Sequence, residues 1–165
     1  MKTAEYWISH LDMQAHPEGG YFKEAYRSNE VFDGYRLPER FTGPRNFATS
    51  IYFLLKRGQV SHLHRIASDE TWHFYSGGPI EIHSIHPDGN YESVCLGNNP
   101  EHGQVLQYTV PHGCWFGASL LEETDYALVG CTVSPGFSFE DFELAERGNL
   151  LKLFPNHAQV IEKLT

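Results

Sequence analysis

Between residues 46 and 133 the chain is cut into short β-prone runs by turn signals at intervals of roughly ten residues, and this punctuation limits the folds open to it. Residues 47–56 end at Arg57-Gly58, 60–66 at Ser68-Asp69, 70–75 at Gly77-Gly78-Pro79, and 80–85 at His86-Pro87-Asp88-Gly89-Asn90. Runs at 91–96, 104–110, 114–119 and 126–133 follow, with Gly97-Asn98-Asn99-Pro100 and Pro111-His112-Gly113 among the breaks. Gly, Asn, Asp and Pro supply the backbone angles of tight turns, so consecutive runs fold back antiparallel. Such short strands must close on one another to bury their apolar faces, which predicts an all-β sandwich or barrel.

The flanks add little to that plan. Residues 3–13 read as a short amphipathic helix, with Thr3 at its cap and Tyr6, Trp7, Ile8 and Leu11 as its apolar stripe. His16-Pro17-Glu18-Gly19-Gly20 breaks it, residues 21–27 read as a strand, and 28–44 form a loop of functional or interfacial length. Residues 140–146 read as a turn or short helix, and 155–164 as a C-terminal helix with Pro155 in its first turn. No repeat, linker or low-complexity run interrupts residues 1–165, which form a single domain.

Charge and cysteine narrow the function classes. Lys and Arg number 12 against 21 Asp and Glu, a net charge of −9, which opposes sequence-independent binding to nucleic acid. Cys95, Cys114 and Cys131 are widely spaced without a C-x-x-C, so no disulfide framework or zinc knuckle is expected, and the chain reads as cytoplasmic. The longest apolar run, 51–55, is too short to span a bilayer.

Ten histidines are the compositional excess. In a strand, His62 and His64 are two apart and project from one face, while Glu70, Trp72 and Phe74 share a face of the next strand. Turned inward, these faces bring imidazoles and a carboxylate together. Tyr52, Trp72 and Phe74 are then expected to line the pocket, and Gln107, flanked by Leu106 and Tyr108, to be a pocket hydrogen-bonder or solvent-exposed. Arg27 and Arg65 are the cations to watch, because an anionic substrate needs a guanidinium. His73 falls on the face opposite Glu70, and His83, His86, His102, His112 and His157 are assigned to the surface.

His62-Leu63-His64 followed by Glu70 and Gly77 resembles the first motif of the cupins, G-x5-H-x-H-x3–4-E-x6-G. Three residues separate Gly58 from His62 and five separate His64 from Glu70, so the spacing departs from that motif. Pro111-His112-Gly113 resembles part of the second motif, but Phe116 stands where its metal-binding histidine belongs. Longer strings are similar to the fifth cupin-domain class, an RmlC-like group carried as a domain of unknown function. They are His16-Pro17-Glu18-Gly19-Gly20-Tyr21-Phe22, Ser68-Asp69-Glu70, Trp72-His73-Phe74-Tyr75, Trp115-Phe116-Gly117-Ala118 and the run 128–145, within a motif-bearing core at about 11–146.

The resemblance implies a double-stranded β-helix, the cupin jelly-roll barrel, with short helices at both ends; the exposed edges of such a roll and the long N-terminal segment predict a homodimer, because pairing strands across a two-fold axis covers those edges. It implies a small polar or sugar-like ligand inside the barrel. His64 and Glu70 are the expected catalytic pair, in the manner of a sugar epimerase or isomerase, with Tyr52, His62, Trp72, Phe74, Gln107 and Phe116 around them. Two alternatives stay open. One is a metal-dependent oxygenase or isomerase in which His62, His64 and Glu70 hold a divalent ion; the other is a non-catalytic ligand-binding or storage-like cupin.

Overall fold

The computed structural model describes residues 2–165. It begins with helix α1 (Ala4–His10), where the Thr3 side chain accepts the Tyr6 N–H. Thirteen strands follow in chain order: β1 (Gln14–Ala15), β2 (Tyr21–Arg27), β3 (Val31–Phe32), β4 (Arg45–Asn46), β5 (Thr49–Lys56), β6 (Val60–Arg65), β7 (Asp69–Gly77), β8 (Ile80–Ile85), β9 (Tyr91–Leu96), β10 (Gln107–Val110), β11 (Trp115–Leu120), β12 (Tyr126–Ser134) and β13 (Glu143–Leu144). Helices α2 (Arg147–Leu153) and α3 (Ala158–Lys163) close the chain.

The strands form two antiparallel sheets, ordered β1-β2-β5-β12-β7-β10 and β13-β6-β11-β8-β9, with β3 and β4 paired apart. Sequence neighbours such as β5 and β6, or β6 and β7, lie in different sheets. That alternation rolls the ladder into a jelly-roll barrel.

One core fills the space between the sheets. Phe53, Leu55, Trp72, Val129 and Cys131 come from one sheet, and Ile80, Ile82, Leu96, Phe116 and Ala118 from the other. The intervening residues of the same strands face outward, as period-two geometry requires. Leu54, Tyr126 and Leu128 pack beneath α1, and Leu63, Ile85 and Trp115 pack beneath α2 and α3 through Leu150, Ile161 and Leu164. The barrel therefore lies between two helical covers, with one mouth left open beside β2, β4 and the segment 137–142.

The expected strands at 80–85 and 91–96 match β8 and β9, and most others agree within a few residues. The short β1 and β13 and the helix α2 were not foreseen, because two-residue strands carry no periodic signal and α2 begins at Arg147-Gly148. Glu146 caps α2, accepting the N–H groups of Gly148 and Asn149. The three cysteines are free thiols, Cys114 and Cys131 being buried. Among the described residues no helix is long and apolar enough to cross a membrane.

Candidate active site

A cavity of about 550 Å³ opens between the sheets, within the size range of small-molecule sites. Phe22, Ile51, Phe53 and Val133 form its apolar wall, and Phe137 and Phe139 border its mouth. His16, Glu18, His64 and Glu70 also line it and bring their polar groups together inside the barrel.

Glu18 reaches this position through the turn joining β1 to β2. Gly19 and Gly20 take φ of +109° and +72°, and a side chain on Gly19 would collide with the Val60 carbonyl. The turn thus lies tightly against β6. The Glu18 carbonyl accepts both the backbone N–H of His62 and its ring Nδ1–H, each at 2.7 Å. Anchored there, the Glu18 side chain enters the barrel, where Ser61 Oγ donates to Oε1 at 2.7 Å and His64 Nε2 lies 3.1 Å from Oε2.

Strand β6 departs from simple alternation at this point. His64 pairs with Phe116 and Ser61 with Ala118, so two residues of β6 oppose the single Gly117 of β11. This β-bulge adds one residue to the count and places Ser61 and His64, three apart, on the inner face. Leu63 turns outward beneath the C-terminal helices. The backbone groups freed by the bulge find other partners: Leu63 N–H donates to the Leu164 carbonyl and Ala145 N–H to the Leu63 carbonyl, both at 2.8 Å. Gly117 allows the close approach, since a Cβ there would sit 2.5 Å from the Ser61 carbonyl oxygen.

The hydrogen bonds determine where the protons sit. His64 Nδ1 is 2.8 Å from the His62 carbonyl, which can only accept, so Nδ1 carries hydrogen. One proton then lies between His64 Nε2 and Glu18 Oε2. Burial drives the Glu18 carboxyl above its ordinary range and the His64 imidazole below its own, so the neutral pair with the proton on Glu18 is favoured. Glu70 is near enough for charge on Glu18 and His64 to act on it. Burial first, and second the Glu18 carboxylate whenever it is ionised, push it up to about 7.

Both arginines bordering the cavity are engaged by carboxylates. Buried Arg45 makes a two-pronged bond to Asp141 at 2.7 Å per contact and lies 3.2 Å from Glu140. Arg27 donates to Glu24 at 2.7 Å, and to the Asn46 side chain and the Phe137 carbonyl. Arg65 is outside the barrel, bonded to Glu143 and stacked over Trp115.

His64 and Glu70 are brought together as expected, but the carboxylate in contact with His64 is that of Glu18. The bulge removes His62 from the cavity lining and ties its ring to the Glu18 backbone. Tyr52 faces the outer side of β5, near Tyr75 and α1, because the inward positions of that strand are Ile51, Phe53 and Leu55. Trp72, Phe74 and Phe116 belong to the barrel core rather than the cavity wall, although Phe116 packs on the His64 ring at 4.2 Å. Gln107 is exposed on β10, at the end of its sheet. His83, assigned to the surface, is buried between the Tyr91 hydroxyl and Ser119.

His16 and Glu18 were missed as site residues. Their only sequence signal was the His16-Pro17-Glu18-Gly19-Gly20 string, which reads locally as a helix breaker. The proposed metal set is not assembled: His62 points elsewhere, Phe116 supplies no donor, and His64 Nε2 faces Glu18. Among the described residues no three His, Cys, Asp or Glu side chains are arranged to hold a metal ion.

A two-sheet jelly roll with an interior polar site defines a cupin-type barrel. Oxalate decarboxylase from Bacillus subtilis shares the fold at a TM-score of 0.51 and 17% identity, over 86% of this chain and 40% of that one. More particularly, the chain belongs to the Cupin superfamily (DUF985) family, which matches residues 5–145. Protein SO0799 from Shewanella oneidensis is 41% identical over 100% of this chain and 98% of its own, with a TM-score of 0.90. The uncharacterized protein YML079W of Saccharomyces cerevisiae is 32% identical over 154 residues, 88% of this chain and 76% of its own.

Proposed function

We propose that the protein binds a small, neutral, sugar-like molecule in the barrel and moves a proton at a carbon beside its carbonyl group, as an isomerase or epimerase. The observation that carries this reading is the buried arrangement of Glu70 with the proton-sharing Glu18–His64 pair at the cavity wall. A carboxyl held near 7 is close to ideal for a general base at neutral pH, being partly ionised yet still basic. The Glu18–His64 pair supplies a second site that can accept or return a proton. Aromatic and aliphatic walls suit the apolar faces of a sugar ring.

The charges favour a neutral ligand. Arg27 is paired with Glu24 and Arg45 with Asp141 and Glu140, and the remaining acidic and imidazole side chains lining the cavity are His16, Glu18, His64 and Glu70. A phosphate or carboxylate substrate would have to displace one of these pairs. A divalent-metal mechanism is not supported by the donor set.

The test is proton exchange in D2O. Dihydroxyacetone, fructose, tagatose, ribulose and their aldose isomers are incubated with the protein while binding is followed by ligand-observed NMR. Exchange of the C–H next to the carbonyl is expected, falling at least 100-fold in Glu70→Gln with binding retained. Sugars that bind without exchange in the native protein would rule out the proton-transfer chemistry and leave a binding protein.

A further inference from the structure

We infer that His16 acts on the substrate as a neutral hydrogen-bond donor through Nε2, polarising the carbonyl oxygen while Glu70 removes the neighbouring proton. This inference rests on the proton-transfer reading above and assigns the group that stabilises the charge developing on oxygen.

The assignment follows from the two ring nitrogens. The Glu18 backbone N–H points at His16 Nδ1 from 3.2 Å, and Glu18 Oε2, which shares a proton with His64, lies 3.5 Å from the same nitrogen; the amide can only donate, so Nδ1 accepts and the hydrogen lies on Nε2. Among the described residues no hydrogen bond is made by Nε2, yet the side chain is only 6% exposed and borders the cavity. The ring is fixed by aromatic neighbours: Phe22 meets it edge-on at 4.7 Å, with Phe53, Phe139 and Phe142 at about 6 Å between centroids. The ring is thus held in place at the cavity wall with Nε2 free to donate to a molecule bound there. Burial also keeps the imidazole below its ordinary pKa, so it stays neutral and donates without becoming a cation.

The step balances without a further reagent. Glu70 carboxylate takes the proton from carbon, the C–H electron pair forms the carbon–carbon double bond, and the carbonyl π electrons move to oxygen. His16 Nε2–H holds that oxygen. Return of the proton from Glu70 to the former carbonyl carbon, with the adjacent hydroxyl proton passing to the enolate oxygen, gives isomerisation; delivery of the proton held by the Glu18–His64 pair to the opposite face of the original carbon gives epimerisation, after which Glu70 loses its proton to solvent and the pair regains one. A preorganised donor aimed at developing charge in a dry site is worth about 10²–10³ in rate.

The test extends the D2O exchange assay to His16→Phe, which removes the donor, and His16→Gln, whose amide restores one near Nε2. Exchange is expected to fall about 10²–10³-fold in the Phe variant with binding retained, and to recover in part in the Gln variant. Long-range ¹H–¹⁵N spectra of the native protein at pH 7 should show His16 protonated on Nε2 alone. Exchange that depends on Glu70 but is unchanged in His16→Phe would overturn the His16 assignment and leave the proton-transfer reading standing. A ring proton on Nδ1 would overturn it independently of any activity or of the fold of a variant. Absence of exchange in the native protein would overturn both.

Discussion

Glu70 illustrates how burial at a single residue links function to stability. Its carboxyl rises from an ordinary 4.5 to about 7 in the fold, so between those values the folded chain keeps a proton that the unfolded chain has released. That contribution is intact below pH 4.5 and is lost as pH rises through 7, at a cost on the order of 3 kcal/mol. His16 and His64 act with the opposite sign: both stay neutral in the fold, so stability falls as pH drops below their unfolded value of 6.5. The difference in unfolding free energy between Glu70→Gln and the native protein should therefore move in favour of the variant from pH 5 to pH 8. Urea denaturation across that range measures it, and parallel curves for the two proteins would contradict the burial argument.

The bulge in β6 is the element on which the site depends. A strictly alternating strand would have sent His62 and His64 inward together; the extra residue instead pairs Ser61 with His64 on the inner face and leaves His62 to anchor the Glu18 turn. Gly117→Ala tests this geometry, because the added Cβ meets the Ser61 backbone rather than a flexible side chain. A loss of about 1–3 kcal/mol is expected in urea, together with altered His64 ring shifts in NMR spectra. Unchanged stability and shifts would show that β6 and β11 accommodate the methyl without changing register. The segment 137–142 is a second such element. Its Arg45–Asp141 bond anchors a segment in which Phe139 and Phe142 pack against His16, Phe142 also packs against His64, and Phe137 packs on both phenylalanines.

For the whole molecule, the C-terminal helices are part of the barrel's support. Ile161 and Leu164 are fully buried against the outer side of β6 and β11, and the Leu164 carbonyl accepts the Leu63 N–H within the bulge. Ile161→Ala should cost about 2–5 kcal/mol and lower the midpoint of a single cooperative transition in urea. A separate early transition would show the helices to be an independent unit. The barrel itself was legible in the sequence, because turn residues and strand length act locally and recur from Arg57-Gly58 to Pro111-His112-Gly113. Membership of the cupins and the placing of His64 and Glu70 in the interior were legible too, since both are tied to strings within neighbouring strands. Glu18, His16 and the exclusion of His62 and Tyr52 were not. Glu18 joins His64 from 46 positions away in the chain, and the bulge arises from contacts of β6 with the β1–β2 turn and the C-terminal tail. Residue order determined the strands and their turns; which side chains meet in the cavity was decided only when distant segments packed, because a one-residue change of register exchanges the inner face for the outer.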